Sequence, residues 1–200
     1  MRTMSKSIGQ RSLIIMIVLT SLVVGLVVGI FVTAYTDLKY IFSSPPQSTQ
    51  TQPSNNCTQL SILVRRYVYA GLVYDLKTLL VLITDARVGV TIANLTNSID
   101  MLRIAKIDLE TAINVTDKMI NDLQVIKTLG ASQTESSYLD QIRDNLLTTK
   151  VSISYYLSDV NNALANNKAP PDLVDKANNL FNNVSQSIDT ITAILKQMMS

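Results

Sequence analysis

The chain has 200 residues, of which 47% are hydrophobic and 16% charged, and a formal net charge of +2. This size allows one membrane anchor and one modest domain. The first 12 residues contain three basic residues and no acidic one. From residue 36 onward there are 14 basic and 15 acidic residues. Because a nearly neutral domain lacks the clustered Lys and Arg that neutralise phosphates, we do not expect nucleic acid as a partner.

The composition also bears on chemistry, because the chain contains no histidine and only one cysteine. Histidine is the usual general base and the commonest metal ligand, and one cysteine cannot build a thiolate metal site. Neither a glycine-rich phosphate loop nor a nucleophile elbow occurs in the sequence. We therefore predict no enzyme activity, no catalytic or metal-binding residues, and no cofactor.

Residues 13–35 form a run of 23 uncharged, mostly apolar residues that follows a basic tail at residues 1–12. A helix crosses the hydrocarbon core with about 20 such residues. We predict a retained single-pass transmembrane helix, a signal anchor, with the N-terminus in the cytoplasm and residues 36–200 outside it. A cleaved signal peptide is the alternative, since Val32-Thr33-Ala34 resembles a cleavage site, although the usual apolar region of a signal peptide has only about 7–15 residues.

Small residues recur at every fourth position of the predicted span: Ser21, Gly25, Gly29 and Thr33. Such a face lets helix backbones approach closely in a bilayer, although glycine is also common in membrane helices in general. The pattern predicts self-association. The expected partners are the lipid bilayer and either another copy of the chain or another membrane or envelope protein.

Residues 36–56 are predicted to be a linker. Their second part, residues 43–56, has neither charged nor hydrophobic residues and contains three prolines, so it cannot bury apolar surface. Cys57 follows directly, and an unpaired cysteine outside the cytoplasm suggests an intermolecular disulfide or a free thiol. The alternative is a small side chain packed at a helix end.

Four sequons for N-glycosylation begin at Asn56, Asn94, Asn114 and Asn183. Their number is close to what chance gives for a chain this rich in Asn, Ser and Thr. They are candidate glycan acceptors of a surface glycoprotein only if residues 36–200 lie outside the cytoplasm.

The region 57–200 is predicted to be all-α, an antiparallel four-helix bundle with helices at about 58–87, 90–129, 133–166 and 171–199. The third and fourth helices have strict three-four spacing, as in a coiled-coil seam. The third seam is Leu139, Ile142, Leu146, Thr149, Ile153, Tyr156, Val160 and Ala163, and the fourth is Leu173, Ala177, Leu180, Val184, Ser187, Ile191, Ile194 and Met198.

The second helix has a less regular apolar seam: Leu95, Ile99, Leu102, Lys106, Leu109, Ile113, Thr116, Ile120 and Leu123. Boundary signals support the division into helices. Gly130 is a helix stop, Ser132-Gln133-Thr134-Glu135 is a capping box, and Pro171 suits a first helical position.

The first helix is the most apolar, because residues 67–83 are hydrophobic on nearly every face. A second membrane span is one alternative, but Asp75 and Lys77 lie at its middle, each at a cost of about 2.5–3.5 kcal/mol. A strand at 62–69 is another alternative. We predict a helix buried among its neighbours.

Together these features favour a membrane-anchored surface protein with a structural or self-assembling role. A basic tail, one span and an outer four-helix bundle resemble in layout the sensory half of a chemoreceptor or sensor kinase, without a shared motif. This resemblance implies the rival interpretation, a module that senses a ligand or binds a partner. A cytoplasmic-facing coiled-coil scaffold is the third, if the orientation is reversed.

Overall fold

The computed structural model describes the backbone of residues 56–199 and the side chains of residues 61–198. Within this range the protein is all-α and contains no strand. The all-α prediction is therefore confirmed for the described part, and the alternative of a strand at 62–69 is wrong. The predicted tail, transmembrane helix and linker up to residue 55 lie outside the described residues, as do Ser21, Gly25, Gly29 and Thr33.

Four helices follow one another with short connections. They are α1 (Asn56–Thr96), α2 (Ile99–Thr128), α3 (Gln133–Ala165) and α4 (Asp172–Met199). The last three agree with the predicted ranges to within a few residues, except that α2 begins nine residues after the predicted start.

The division between the first two helices was predicted wrongly. α1 continues through Gly89 to Thr96, and the chain turns at Asn97, whose φ of 53° lies in the left-handed region. A single glycine inside a helix costs only about 1 kcal/mol, so the packing of Ala86 and Val90 on either side outweighs it. Leu95, predicted to face the core, is consequently 78% exposed near the end of α1.

The α2–α3 connection follows the sequence signals. Gly130 has a φ of 85°, a conformation that favours glycine after a helix. The Ser132 side chain accepts a hydrogen bond from the backbone N–H of Glu135, and the Glu135 carboxylate accepts one from the Ser132 N–H. The predicted capping box is therefore confirmed.

Each helix packs against two others: α1 and α3 each contact both α2 and α4. Lys150 on α3 pairs with Asp117 on α2 at 2.6 Å, and Lys127 near the end of α2 pairs with Asp140 near the start of α3. These two pairs show that α2 and α3 run in opposite directions. Ion pairing of Lys176 with Asp159 likewise joins the start of α4 to the end of α3.

One hydrophobic core runs along all four helices. All eight positions predicted for the seam of α3 are buried, including Thr149. In α4 the predicted seam is buried except at Ser187 and Met198, which are half-buried, and Leu195 is buried beside it. The hydroxyl of Tyr156, buried near the end of α3, donates to the carbonyl of Leu173 at 3.1 Å, and burial raises the pKa of this phenol.

The seam of α2 was only half predicted. Four of its positions are buried as expected, but the alternate row consists of Ala105, Ala112, Met119 and Ile126 instead of Lys106, Ile113 and Ile120. Residues three and four positions apart lie on the same helix face. The irregular apolar pattern of α2 is therefore compatible with burial of either of these two rows. The alanines occupy it because α1 and α2 approach closely: a Cβ on Gly89 would lie 3.2 Å from the Met101 carbonyl oxygen.

Candidate functional site

An exposed row of apolar residues runs along the outside of α1. Five of its members recur every seven residues and the sixth precedes them by four: Leu63, Tyr67, Tyr74, Val81, Val88 and Leu95. We call this row the outer α1 stripe. Tyr67 is 80% exposed and Leu95 is 78% exposed, while Val81 is half-buried. At 1.5 Å per residue the stripe is about 48 Å long.

The opposite side of α1 already fills the core. Its buried seam has the same three-four spacing and comprises Leu72, Leu76, Leu79, Ile83, Ala86, Val90 and Ala93. Tyr74, Val81 and Val88 each precede a seam residue by two positions, which is about 200° around the helix. The outer α1 stripe is therefore apolar surface that the core of the described part does not use.

Few charged groups lie beside the stripe. Arg66 and Asp85 are exposed at its edges, whereas the Arg87 guanidinium stacks over the Phe181 ring of α4 at 4.0 Å. Lys77 also follows the three-four spacing, but it is half-buried and interacts within the protein. Single exposed apolar residues are ordinary, but an apolar row of this length is typical of an interaction surface.

Within the described part, Ser61–Thr96 is the one segment that is long and apolar enough to be a candidate membrane span, with a mean hydropathy of 1.5. Length and composition alone give this result, and core helices of soluble proteins meet the same criterion. One third of its apolar window is buried within the protein, which reflects the two apolar faces of α1.

Asp75, at the middle of that segment, is only 7% exposed. Its carboxylate accepts a hydrogen bond from the Lys118 ammonium of α2, which also pairs with Asp122 at 3.1 Å. The hydrogen bond to Asp75 is the main cause that raises the pKa of Lys118. The charge in the most apolar helix therefore joins α1 to α2, about 100° around α1 from the stripe residue Tyr74.

A polar groove lies between α3 and α4. It has a volume of about 460 Å³ and is lined mainly by neutral polar side chains, among them Asn145, Thr148, Thr149, Ser152, Asn183 and Ser187. At its floor the Thr149 hydroxyl donates to the Ser187 hydroxyl at 2.9 Å. The groove is open, so this lining suits water or a small neutral polar molecule.

We expect Ser187→Ala to lower the free energy of unfolding by about 1 kcal/mol, since the buried Thr149 hydroxyl loses its partner. The double variant Thr149→Val/Ser187→Ala should recover most of that loss, because two apolar groups replace a hydrogen-bonded pair. Urea unfolding followed by circular dichroism would measure both. Equal losses in the single and double variants would show that the hydrogen bond does not couple the two residues.

The predicted modification sites all lie in helices. Asn114 on α2 and Asn183 on α4 are exposed, whereas Asn94 on α1 is half-buried. Asn56 and Cys57 lie in the first turn of α1, and their side chains lie outside the described residues. The three described sequons therefore lie on three different helices.

Among the described residues, no group of three or more Cys, Asp or Glu side chains has a geometry that could hold a metal ion. Asp85 on α1 and Asp108 on α2 are close enough for their charges to interact. Burial raises the pKa of Asp108, and the negative charge of Asp85 adds to this effect.

The outer α1 stripe was not recognised from the sequence, although its signal was present as the seven-residue recurrence of Tyr67, Tyr74, Val81, Val88 and Leu95. Tyr67 and Tyr74 belong to the helix that we predicted to be buried among its neighbours, and both are exposed. Because α1 is apolar on nearly every face, the sequence does not indicate which face packs in the core.

No protein-family model matches this chain, and no curated protein or solved structure is similar to it.

Proposed function

We propose that this chain is a single-pass, membrane-anchored surface protein whose helices form an antiparallel four-helix bundle with a structural, self-assembling role and without catalysis. The observation that carries the proposal is the outer α1 stripe, because it leaves apolar surface on a helix whose other face already packs in the core. Large exposed apolar surface on a folded domain is typical of a protein–protein interface.

The membrane anchor in this proposal is residues 13–35, with the basic tail retained in the cytoplasm. The small residues at Gly25 and Gly29 provide a second contact between copies, within the bilayer. The linker up to residue 55 separates the two contacts. Cys57, which directly follows it, would then lie in an oxidising compartment, where two copies held together could form a disulfide.

The test compares non-reducing and reducing gel migration of the full-length protein, extracted from membranes after alkylation of free thiols. We expect a dimer band that reduction and Cys57→Ser both remove. Gly25→Ile/Gly29→Ile should weaken this band, because bulky side chains prevent close approach of the spans. Val23→Ile/Val27→Ile adds bulk on the opposite face of the same helix and should leave the band unchanged.

A chain that stays monomeric under all these conditions, and by sedimentation in mild detergent, would contradict the proposed self-assembly. A ligand-sensing or partner-binding module working with a separate membrane protein is the second candidate. The polar groove between α3 and α4 favours it, since its polar lining, which includes Asp144, could bind a small polar molecule. Ligand-induced thermal stabilisation that Asn145→Leu abolishes would support this candidate.

Glycan analysis separates both candidates from the third, a cytoplasmic-facing coiled-coil scaffold. A shift in gel migration on glycosidase treatment, lost when Asn114 and Asn183 are replaced by Gln, would place residues 36–200 outside the cytoplasm. Labelling of residues 36–200 only after the membrane is permeabilised would place them in the cytoplasm instead.

A further inference from the structure

We infer that the outer α1 stripe pairs in parallel with the same stripe of a second copy of this chain. The inference rests on the proposed function, because the parallel direction comes from the shared membrane anchor. The evidence for the partner is the spacing of the stripe, the chain that precedes α1, and the charge of the domain.

The spacing of the stripe is that of a coiled-coil seam. Residues 63 and 67 are four apart, and the other stripe residues recur every seven positions up to 95. The alternate positions between them, which complete the three-four spacing, are the half-buried Ala70, Lys77, Thr84 and Thr91. A repeat of 3.5 residues keeps a seam facing a partner helix that has the same repeat. Two-stranded coiled coils favour β-branched residues at the kind of position that Val81 and Val88 occupy and leucine at the alternate kind, and this row meets the first of these two preferences.

The part of the chain that precedes α1 determines the direction of pairing. Residues 1–55 enter the described domain at the first turn of α1, so α1 is the helix joined directly to the anchor through the linker. On the proposed function both copies are anchored in one membrane, which favours entry into α1 from the same side. We therefore infer a parallel pair, with Val88 of one copy against Val88 of the other.

The overall charge of the domain does not oppose this pairing, although Arg66, Lys77 and Asp85 lie in the row or beside it. From residue 36 onward the basic and acidic residues nearly balance, at 14 against 15, so two copies do not repel one another strongly. Lys77 lies at one of the alternate positions of this row and already interacts within the protein. Apolar residues suit a coiled-coil seam better than lysine, so Lys77→Leu should strengthen the association.

The experiment uses single cysteines in the full-length protein with Cys57→Ser as background, in native membranes under mild oxidation. We expect Val88→Cys to form a disulfide-linked dimer and Thr111→Cys, on the exposed side of α2, to remain monomeric. A disulfide requires Cα atoms within about 7 Å. In an antiparallel pair centred on the stripe the two residues 88 would lie about 27 Å apart.

A second pair of variants tests the surface itself. Tyr74→Glu/Val88→Glu should abolish the dimer while helix content and thermal unfolding remain unchanged, because both side chains are exposed. Ile104→Glu/Ile107→Glu removes two equally exposed apolar residues from α2 and should leave the dimer intact.

The outcomes separate this inference from the proposed function. A chain that sediments as an oligomer but forms no cross-link at Val88→Cys overturns the stripe interface and leaves the proposed self-assembly standing. A cross-link at Val81→Cys but not at Val88→Cys overturns the parallel direction. A monomer by both methods overturns the inference and the proposed function together.

Discussion

Replacing Glu135 with alanine is expected to lower the free energy of unfolding by about 2–4 kcal/mol, since a helix cap is worth about 1 and a hydrogen bond to a charged group about 1.5–3. The Glu135 carboxylate accepts hydrogen bonds from the Arg65 guanidinium and the Tyr69 hydroxyl, each at 2.7 Å. It also closes the capping box with Ser132. One side chain thus joins the beginning of α1 to the first turn of α3.

The surroundings make this loss larger than that of an ordinary surface acid. Arg65 also donates to the carbonyl oxygens of Leu129 and Gly130, at 2.9 and 2.8 Å, and only about a fifth of its side chain is exposed. Without Glu135 its positive charge would remain half-buried and partly unpaired. The first turn of α3 would therefore lose its side-chain hydrogen bonds to α1, while those of Arg65 to the α2–α3 turn would remain.

Glu110→Ala is the matched control, because Glu110 is the other glutamate of the chain. It makes one ion pair on the surface of α2, with Lys106 at 3.6 Å, and should change stability by less than about 0.5 kcal/mol. Chemical unfolding of both variants, followed by circular dichroism, gives the comparison. If Glu135→Ala is no more harmful than Glu110→Ala, the link between α1 and α3 does not stabilise the fold.

The capping box itself was visible in the sequence, but the link to α1 was not. Ser132 and Glu135 are three residues apart, so local geometry alone brings them together. Arg65 lies 70 positions from Glu135, and a hydrogen bond over such a distance depends on how the helices are placed. The sequence gives information on how the helices are placed only where apolar residues mark one face of a helix as the packing face.

The same distinction explains which seams could be predicted. In α3 polar residues separate the apolar positions, so one face is defined and all eight predicted positions are buried. In α1 apolar residues occupy both faces, and the sequence cannot say which face the core uses. The face of α1 that packs in the core is the one that fits against small residues of the neighbouring helix, such as Ala105. The sequence pattern of α1 alone carries no information about those residues.

This ambiguity is also the reason that the candidate site was missed. A helix with two apolar faces is the expected signature of a membrane span or a fully enclosed helix. The structure gives a third possibility, in which one face packs in the core and the other is exposed. According to the proposed function, that exposed face of α1 is the surface that binds the partner.

The second large effect is expected at Gly89, where α1 and α2 approach closely. A Cβ at this position would lie 3.2 Å from the Met101 carbonyl oxygen and 3.3 Å from the Ala105 Cβ. Neither atom belongs to a flexible side chain, so the two helices must separate to admit a larger residue. We expect Gly89→Val to lower the free energy of unfolding by about 3 kcal/mol, the upper end of the usual cost of overpacking.

Gly71 offers the matched control within the same helix, because a Cβ there meets no atom within 4 Å. Gly71→Val should change stability by less than about 0.5 kcal/mol, and Gly71→Ala should stabilise the protein by up to about 1 kcal/mol through helix propensity alone. Gly89→Ala gains the same helix propensity, but the new Cβ would be in close contact with Met101 and Ala105. Gly89→Ala should therefore stabilise the protein less than Gly71→Ala does. Thermal and urea unfolding of the four variants would measure these differences. Equal effects at both glycines would mean that the spacing of α1 and α2 does not depend on Gly89, and the row of alanines on α2 would need another cause.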